Sequence, residues 1–147
     1  MQQEVCVIKV MFLCTGNAFR SQMAEGFARH YGSDVMEVHS AGVMPIGVSP
    51  WAVKAMAEEG IDISRQTSDP IDPELLARMD LVVTLCGNAA ALCPATPPGI
   101  SRIHWPVDDP LHDGPEDVVM ASNRKTREDV KARVMGLVER LRRGEEA

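Results

Sequence analysis

The strongest constraint on the fold is an apolar run over residues 5–13 that ends on Cys14-Thr15-Gly16-Asn17-Ala18-Phe19-Arg20-Ser21 and passes directly into a helical pattern. Its β-branched and apolar content predicts a buried, parallel strand, so the loop sits where a strand turns into a helix. At such a turn the backbone N–H groups of the loop and the helix start can point inward at an anion. Arg20 adds a planar fork able to grip two oxygens of a tetrahedral oxyanion, a geometry lysine cannot supply. The same donors favour Cys14 as a thiolate nucleophile. A buried cysteine followed by a surface arginine six residues on also arises by chance, so the loop alone defines an oxyanion site only on paper.

The remaining elements alternate in a βαβ rhythm. Residues 21–31 form a helix in which Met23, Phe27 and Tyr31 recur at spacings of four, with Gly26 inside and Gly32 as the stop. A second strand covers 35–40, and a Gly- and Pro-rich loop leads to Ser49 and Pro50, an N-cap and first helical residue for a helix over 50–59. A short helix over 74–79 precedes a clear strand over 80–86, which ends on Cys86. Residues 87–98, with Cys93 inside, read as a loop or short helix, and 102–105 as a short last strand. Val130, Val134, Leu137, Val138 and Leu141 mark one stripe of a C-terminal helix whose basic face is solvated.

The expected fold class is α/β, in a single domain over residues 1–147. Net charge is -6, from 15 basic and 21 acidic residues, which argues against nucleic acid as a partner. With 4% aromatic residues, stacking platforms for bases are not expected either. No apolar run approaches the roughly 18 residues of a membrane span, and no signal-like segment opens the chain, so a cytoplasmic location is expected.

The loops after the predicted strands carry Cys14, then Cys86 and Cys93, then Asp108. Sites in open α/β sheets form beyond the C-terminal ends of the strands, so these loops are expected to converge. Cys86 and Cys93 are too far apart for a CxxC redox pair, and no paired knuckle supports zinc. Were the intervening segment helical, the two Cα atoms would stand about 10 Å apart. A disulfide needs them within about 7 Å, so forming one would require the segment to unwind. Asp108 is the expected general acid for an oxygen leaving group, with Asp109 shaping the turn before Pro110.

With these residues in order, the chain resembles the low-molecular-weight protein tyrosine phosphatases in Cys14-x5-Arg20-Ser21 and in Val107-Asp108-Asp109-Pro110. The addition of Cys86 and Cys93 is similar to the thioredoxin-coupled arsenate reductases built on that fold. The resemblance implies a three-layer α/β/α fold with a four-stranded parallel sheet, and reduction of arsenate to arsenite by a three-cysteine relay. Cys14 attacks arsenate held by Thr15, Gly16, Asn17, Ala18, Phe19, Arg20 and Ser21, while Asp108 protonates the departing oxygen. Cys86 then attacks Cys14, and Cys93 attacks Cys86 to leave a disulfide for thioredoxin. It also implies a Ser21 hydrogen bond to the Cys14 thiolate.

Some members of the family bind potassium beside the loop, and the matching residues are Asn17, Glu25, Ser40, Thr67 and Asp69, all oxygen-bearing. No tightly bound cofactor is otherwise expected. Partners are arsenate, with phosphate or sulfate as analogues, and reduced thioredoxin; neither nucleic acid nor membrane is expected, and the protein is expected to be a monomer. Two residues depart from the pattern. Ala18 replaces a usual serine, and Phe19 stands where related reductases often carry another cysteine and is expected to narrow the mouth. A phosphatase shares every part except the need for Cys86 and Cys93, and a non-enzymatic oxyanion or redox sensor is the remaining alternative.

Overall fold

The computed structural model describes residues 7–85 and 96–145. Cys6, Cys86 and Cys93, with most of the 87–98 segment, lie outside the described residues. The elements run β1 (Ile8–Cys14), α1 (Arg20–Gly32), β2 (Met36–Gly42), α2 (Pro50–Ala57), α3 (Pro73–Leu76), β3 (Leu81–Thr84), β4 (Ser101–His104) and α4 (Glu116–Arg142). The four strands form one parallel sheet in the order β2-β1-β3-β4. The architecture is the expected three-layer α/β/α arrangement, and β1 is covered on both faces. Val10 to Cys14 are all at most 2% exposed, which is why that strand reads as continuous rather than alternating hydrophobicity.

Register sets where the loops emerge. Cys14 pairs with Gly42, Leu13 with Thr84, and Thr84 with His104, so the strands finish level at one edge of the sheet. The chain leaves β1 toward β2 on one side and returns to β3 on the other, which makes the end of β1 the switch point where ligands bind in open sheets.

The helices hold this edge in place. α1 packs on β1, β2 and α4, and α2 packs on α1 and α4. Gly26, a weak helix former in the middle of α1, has a packing reason. A Cβ there would stand 2.7 Å from Ile63 Cγ2 and 2.9 Å from Met56 Cε. The start of α2 is as expected, with Ser49 Oγ accepting from Trp51 N at 3.2 Å and Pro50 at the first helical position. The apolar stripe of α4 faces inward, with Val130, Val134, Leu137 and Val138 no more than 2% exposed. Among the described residues no helix is long and apolar enough to cross a membrane.

Candidate active site

The loop that follows β1 is shaped from outside. The carbonyls of Cys14, Thr15, Gly16 and Ala18 accept the N–H groups of Val43, Met44, Ile46 and Ser49 at 3.4, 2.8, 3.0 and 3.1 Å. The carbonyl of Asn17 accepts Gln22 Nε2 at 2.9 Å. In a trans peptide the C=O and the following N–H point in opposite directions. The N–H groups of Thr15, Gly16, Asn17, Ala18 and Phe19 are therefore turned away from these outer partners and toward the loop centre. Gly42 permits the close fit, since a Cβ there would lie 2.8 Å from both the Asn17 N and Cβ atoms.

Asn17 takes the one positive φ among the described non-glycine residues, 48°, and is fully buried. Its strain is held by specific bonds. Asn17 Nδ2 donates to Ser21 Oγ at 2.6 Å and to Ser40 Oγ at 3.1 Å, and Oδ1 accepts Asp69 N–H at 2.9 Å. Because Ser21 Oγ accepts from Asn17, its own hydrogen is free for Cys14 Sγ, 2.9 Å away. The expected Ser21–Cys14 contact is thus present, and Asn17 orients it. Cys14 is 2% exposed at the floor of a hollow of about 190 Å³, at the positive end of α1.

Arg20 opens α1 and is 6% exposed. Its Nη1 donates to two carbonyls, Leu85 O at 3.3 Å and Val107 O at 3.1 Å. These carbonyls belong to the loops that follow β3 and β4, so one guanidinium ties both loops to the first. What remains is the side-on edge, Nε with Nη2. Nε is buried and has no hydrogen-bond partner among the described residues, and Nη2 lies 3.6 Å from Asp109 Oδ1. A buried donor without a partner is costly, and an oxyanion gripped by this edge would satisfy it.

The carboxylate at the mouth is Asp109, not Asp108. Asp109 lines the hollow with Cys14, Phe19, Arg20 and His112; Asp108 does not, and lines a neighbouring depression with Ser122 and Lys125 that Asp109 also borders. The reason is backbone alternation. Val107 is anchored inward at 1% exposure, and on an extended segment before a proline the next two side chains face opposite ways. Asp109, rather than the Asp108 expected as general acid, is thus the carboxylate placed beside Arg20 and the hollow of Cys14. Phe19 is 5% exposed and borders the mouth, as its bulk suggested. The sequence reading missed His112, Gln22 and the 43–49 brace. Gln22 left a signal, as a polar residue on the buried side of α1; it bridges the Asn17 and Thr67 carbonyls at 2.9 Å each.

The expected potassium ligands are neighbours. Glu25, Ser40, Thr67 and Asp69 line one hollow of about 500 Å³, and Asn17 bonds to Ser40 and Asp69 at its edge. Their oxygen chemistry fits a hard cation. Glu25 is the one buried carboxylate among the described residues, and it is already balanced. Ser40 Oγ donates to its Oε1 at 2.5 Å and Arg29 Nε to its Oε2 at 2.9 Å. Arg29 Nη2 is in turn fixed on Val38 O at 2.9 Å. A cation would have to displace that guanidinium. Among the described residues no group of three or more His, Cys, Asp or Glu side chains converges on a metal position.

The strand-loop-helix with a thiol at its floor, and the paired carboxylate loop, define a class of phosphate-site proteins. Residues 9–147 match the low molecular weight phosphotyrosine protein phosphatase family, and the chain belongs to it. Within that family, sequence relatives at 50–56% identity are named arsenate reductases, while similar solved structures include phosphatases as well as reductases. It is 53% identical over 131 residues to an arsenate reductase of Halalkalibacterium halodurans, covering 88% of this chain and 94% of that protein. The structure of an arsenate reductase in the phosphate binding state superposes with a TM-score of 0.74 at 38% identity, covering 92% of this chain and 99% of that one. A thioredoxin-dependent arsenate reductase of Corynebacterium glutamicum gives 0.75 at 26% identity, covering 95% of this chain and 64% of that one.

Proposed function

We propose that this protein reduces arsenate to arsenite through Cys14, Cys86 and Cys93, with reduced thioredoxin as the electron donor. The observation that carries the reading is the Nε–Nη2 edge of Arg20 on the hollow of Cys14, its Nε without a partner among the described residues, on a guanidinium whose Nη1 holds Leu85, the residue before Cys86. Oxyanion capture and the chain leading to a second thiol meet at one side chain. The naming of its relatives as arsenate reductases supports the same choice.

The relay runs as follows. Loop N–H groups and Arg20 bind arsenate, and the Cys14 thiolate, favoured by Ser21, attacks arsenic to form a sulfur–arsenic bond. Asp109 gives its proton to the departing oxygen, which leaves as water. The Cys86 thiolate attacks Cys14 sulfur. A disulfide forms, the sulfur–arsenic bond breaks, and arsenic keeps the electron pair and leaves as arsenite. The Cys93 thiolate then attacks Cys86 sulfur, frees Cys14 and leaves a Cys86–Cys93 disulfide, which the thioredoxin dithiol reduces. Such a donor works where thioredoxin is kept reduced, in the cytoplasm.

Where potassium is present, Glu25, Ser40, Thr67, Asp69 and Asn17 would hold it, and its charge would steady the Asn17 side of the loop. Phosphoryl transfer is a second reading, favoured by the apolar lining of the mouth by Phe19, Met44 and Ile46, which suits an aryl phosphate. The test is arsenate-dependent NADPH oxidation coupled through thioredoxin and its reductase. Wild type turns over and Cys14→Ser is silent. Release of phosphate from an aryl phosphate with no arsenate reduction would reverse the choice.

A further inference from the structure

We propose that His112, seated on Phe19, is the positioning residue for the Asp109 carboxyl, and that it takes over that carboxyl when an oxyanion claims Arg20. The inference rests on Asp109 acting as the proton donor in the proposed reaction.

Two groups hold Asp109. Arg20 Nη2 stands 3.6 Å from Oδ1, and His112 Nε2 stands 3.1 Å from Oδ1 and 3.1 Å from Oδ2. The Arg20 contact belongs to the edge that must turn to the substrate. Once arsenate occupies that edge, Asp109 faces an anion and has lost its guanidinium. His112 is the partner that remains. Its Nε2 spans both carboxyl oxygens, so one oxygen can swing to the substrate while the other keeps its hydrogen bond. A carboxyl held by one oxygen and carrying its proton on the other is the arrangement a general acid needs.

The imidazole is itself fixed. Its ring stacks on Phe19 with centroids 4.4 Å apart and planes 23° from parallel. Phe19 is 5% exposed, packed in the core at the N-cap of α1, so the shelf does not depend on the exposed loop it supports. The residue before His112 is clamped to α4 from both sides. Ser122 Oγ accepts Leu111 N–H at 2.9 Å, and Asn123 Nδ2 donates to Leu111 O at 3.2 Å. The aromatic ring of Phe19 thus has a task beyond narrowing the mouth. It fixes the group that aims the acid.

The test compares Asp109→Asn, His112→Phe, His112→Gln, Phe19→Leu and the double variant Asp109→Asn/His112→Phe. Each is assayed for kcat/KM with arsenate in the thioredoxin-coupled system, and for sulfate protection of Cys14 against alkylation, which reads binding without chemistry. His112→Phe and Phe19→Leu are expected to lower kcat/KM about tenfold, and His112→Gln, which keeps a donor, to stay within about threefold of wild type. Sulfate protection should be unchanged in His112→Phe and His112→Gln, which leave the loop amides and Arg20 intact. Asp109→Asn is expected to lose at least about a hundredfold, and adding His112→Phe to it should cost nothing more. The proposal is overturned if His112→Phe matches wild type, if His112→Gln is no better than His112→Phe, or if the loss persists in the Asp109→Asn background. Wild-type activity in Asp109→Asn would instead remove the proton-donor role itself.

Discussion

Arg20 and Arg127 are both buried at 9% exposure or less, both lie on helices, and they do opposite things. Arg127 sits in the seam between α2 and α4 with every nitrogen engaged. Nη1 donates to Ala55 O and Glu58, and Nε and Nη2 both reach Glu128. Nη1 ties α4 to the end of α2, and Nε and Nη2 are taken by Glu128 on its own helix, so no donor is left over. Arg20 anchors Nη1 on two carbonyls and turns its side-on edge to Cys14's hollow, with Nη2 3.6 Å from Asp109 and Nε without a partner among the described residues. A satisfied buried arginine is architecture, and a half-satisfied one is a binding site waiting for its acceptor.

The largest effect should come from removing the fork while keeping the charge. Arg20→Lys is expected to lower kcat/KM for arsenate by about 10²- to 10³-fold with a nearly unchanged melting temperature. A loss of under tenfold would show that charge alone suffices and would erase the contrast. Arg127→Met should do the reverse, keeping kcat/KM within about twofold and costing roughly 1–2 kcal/mol of stability. Calorimetry checks it, and a matching loss of activity would mean the seam is coupled to the loop.

The seam also has a pH signature. Glu58, bonded by Arg124 and Arg127, is lowered from the ordinary 4.5 to about 2. Because the folded value is the lower one, the stability this group contributes is complete above pH 4.5 and is lost as pH falls toward 2. Glu58→Gln should flatten the melting curve across that window while leaving the wild type and variant curves parallel above it. The smallest expected effect is at the second hollow. Arg29→Met should make reduction respond to potassium by about twofold or more, where wild type responds less, since Glu25 then lacks its guanidinium. An equal response in both would break the idea that Arg29 competes for that carboxylate.

The loop from Cys14 to Ser21 was legible because its chemistry is local. A strand, a glycine-containing turn and a helix start fix where thiol, amides and arginine stand relative to one another. The Ser21–Cys14 contact and the four-stranded parallel sheet came from the family resemblance. The choice between Asp108 and Asp109 was not local. It depends on Val107 burying its side chain at the end of the sheet, which sets the alternation for the next two residues. Arg29 is one of the basic residues in the last turn of α1, and only the fold shows it against Glu25 in the hollow assigned to potassium. Nor can spacing distinguish Arg20 from Arg127. That difference lies in what the remaining nitrogens meet, and their partners are contributed by loops and helices far away in the chain.

The central claim is that Cys14 hands its arsenic adduct to sulfur rather than to water, and arsenite counting in Cys93→Ser tests it most directly. Reduced Cys93→Ser mixed with excess arsenate, thioredoxin, thioredoxin reductase and NADPH is predicted to release about one arsenite per chain and stop, with Cys14 and Cys86 joined in the same peptide map. Continued turnover by Cys93→Ser, or a halted enzyme whose Cys14 is still a free thiol, would contradict the relay.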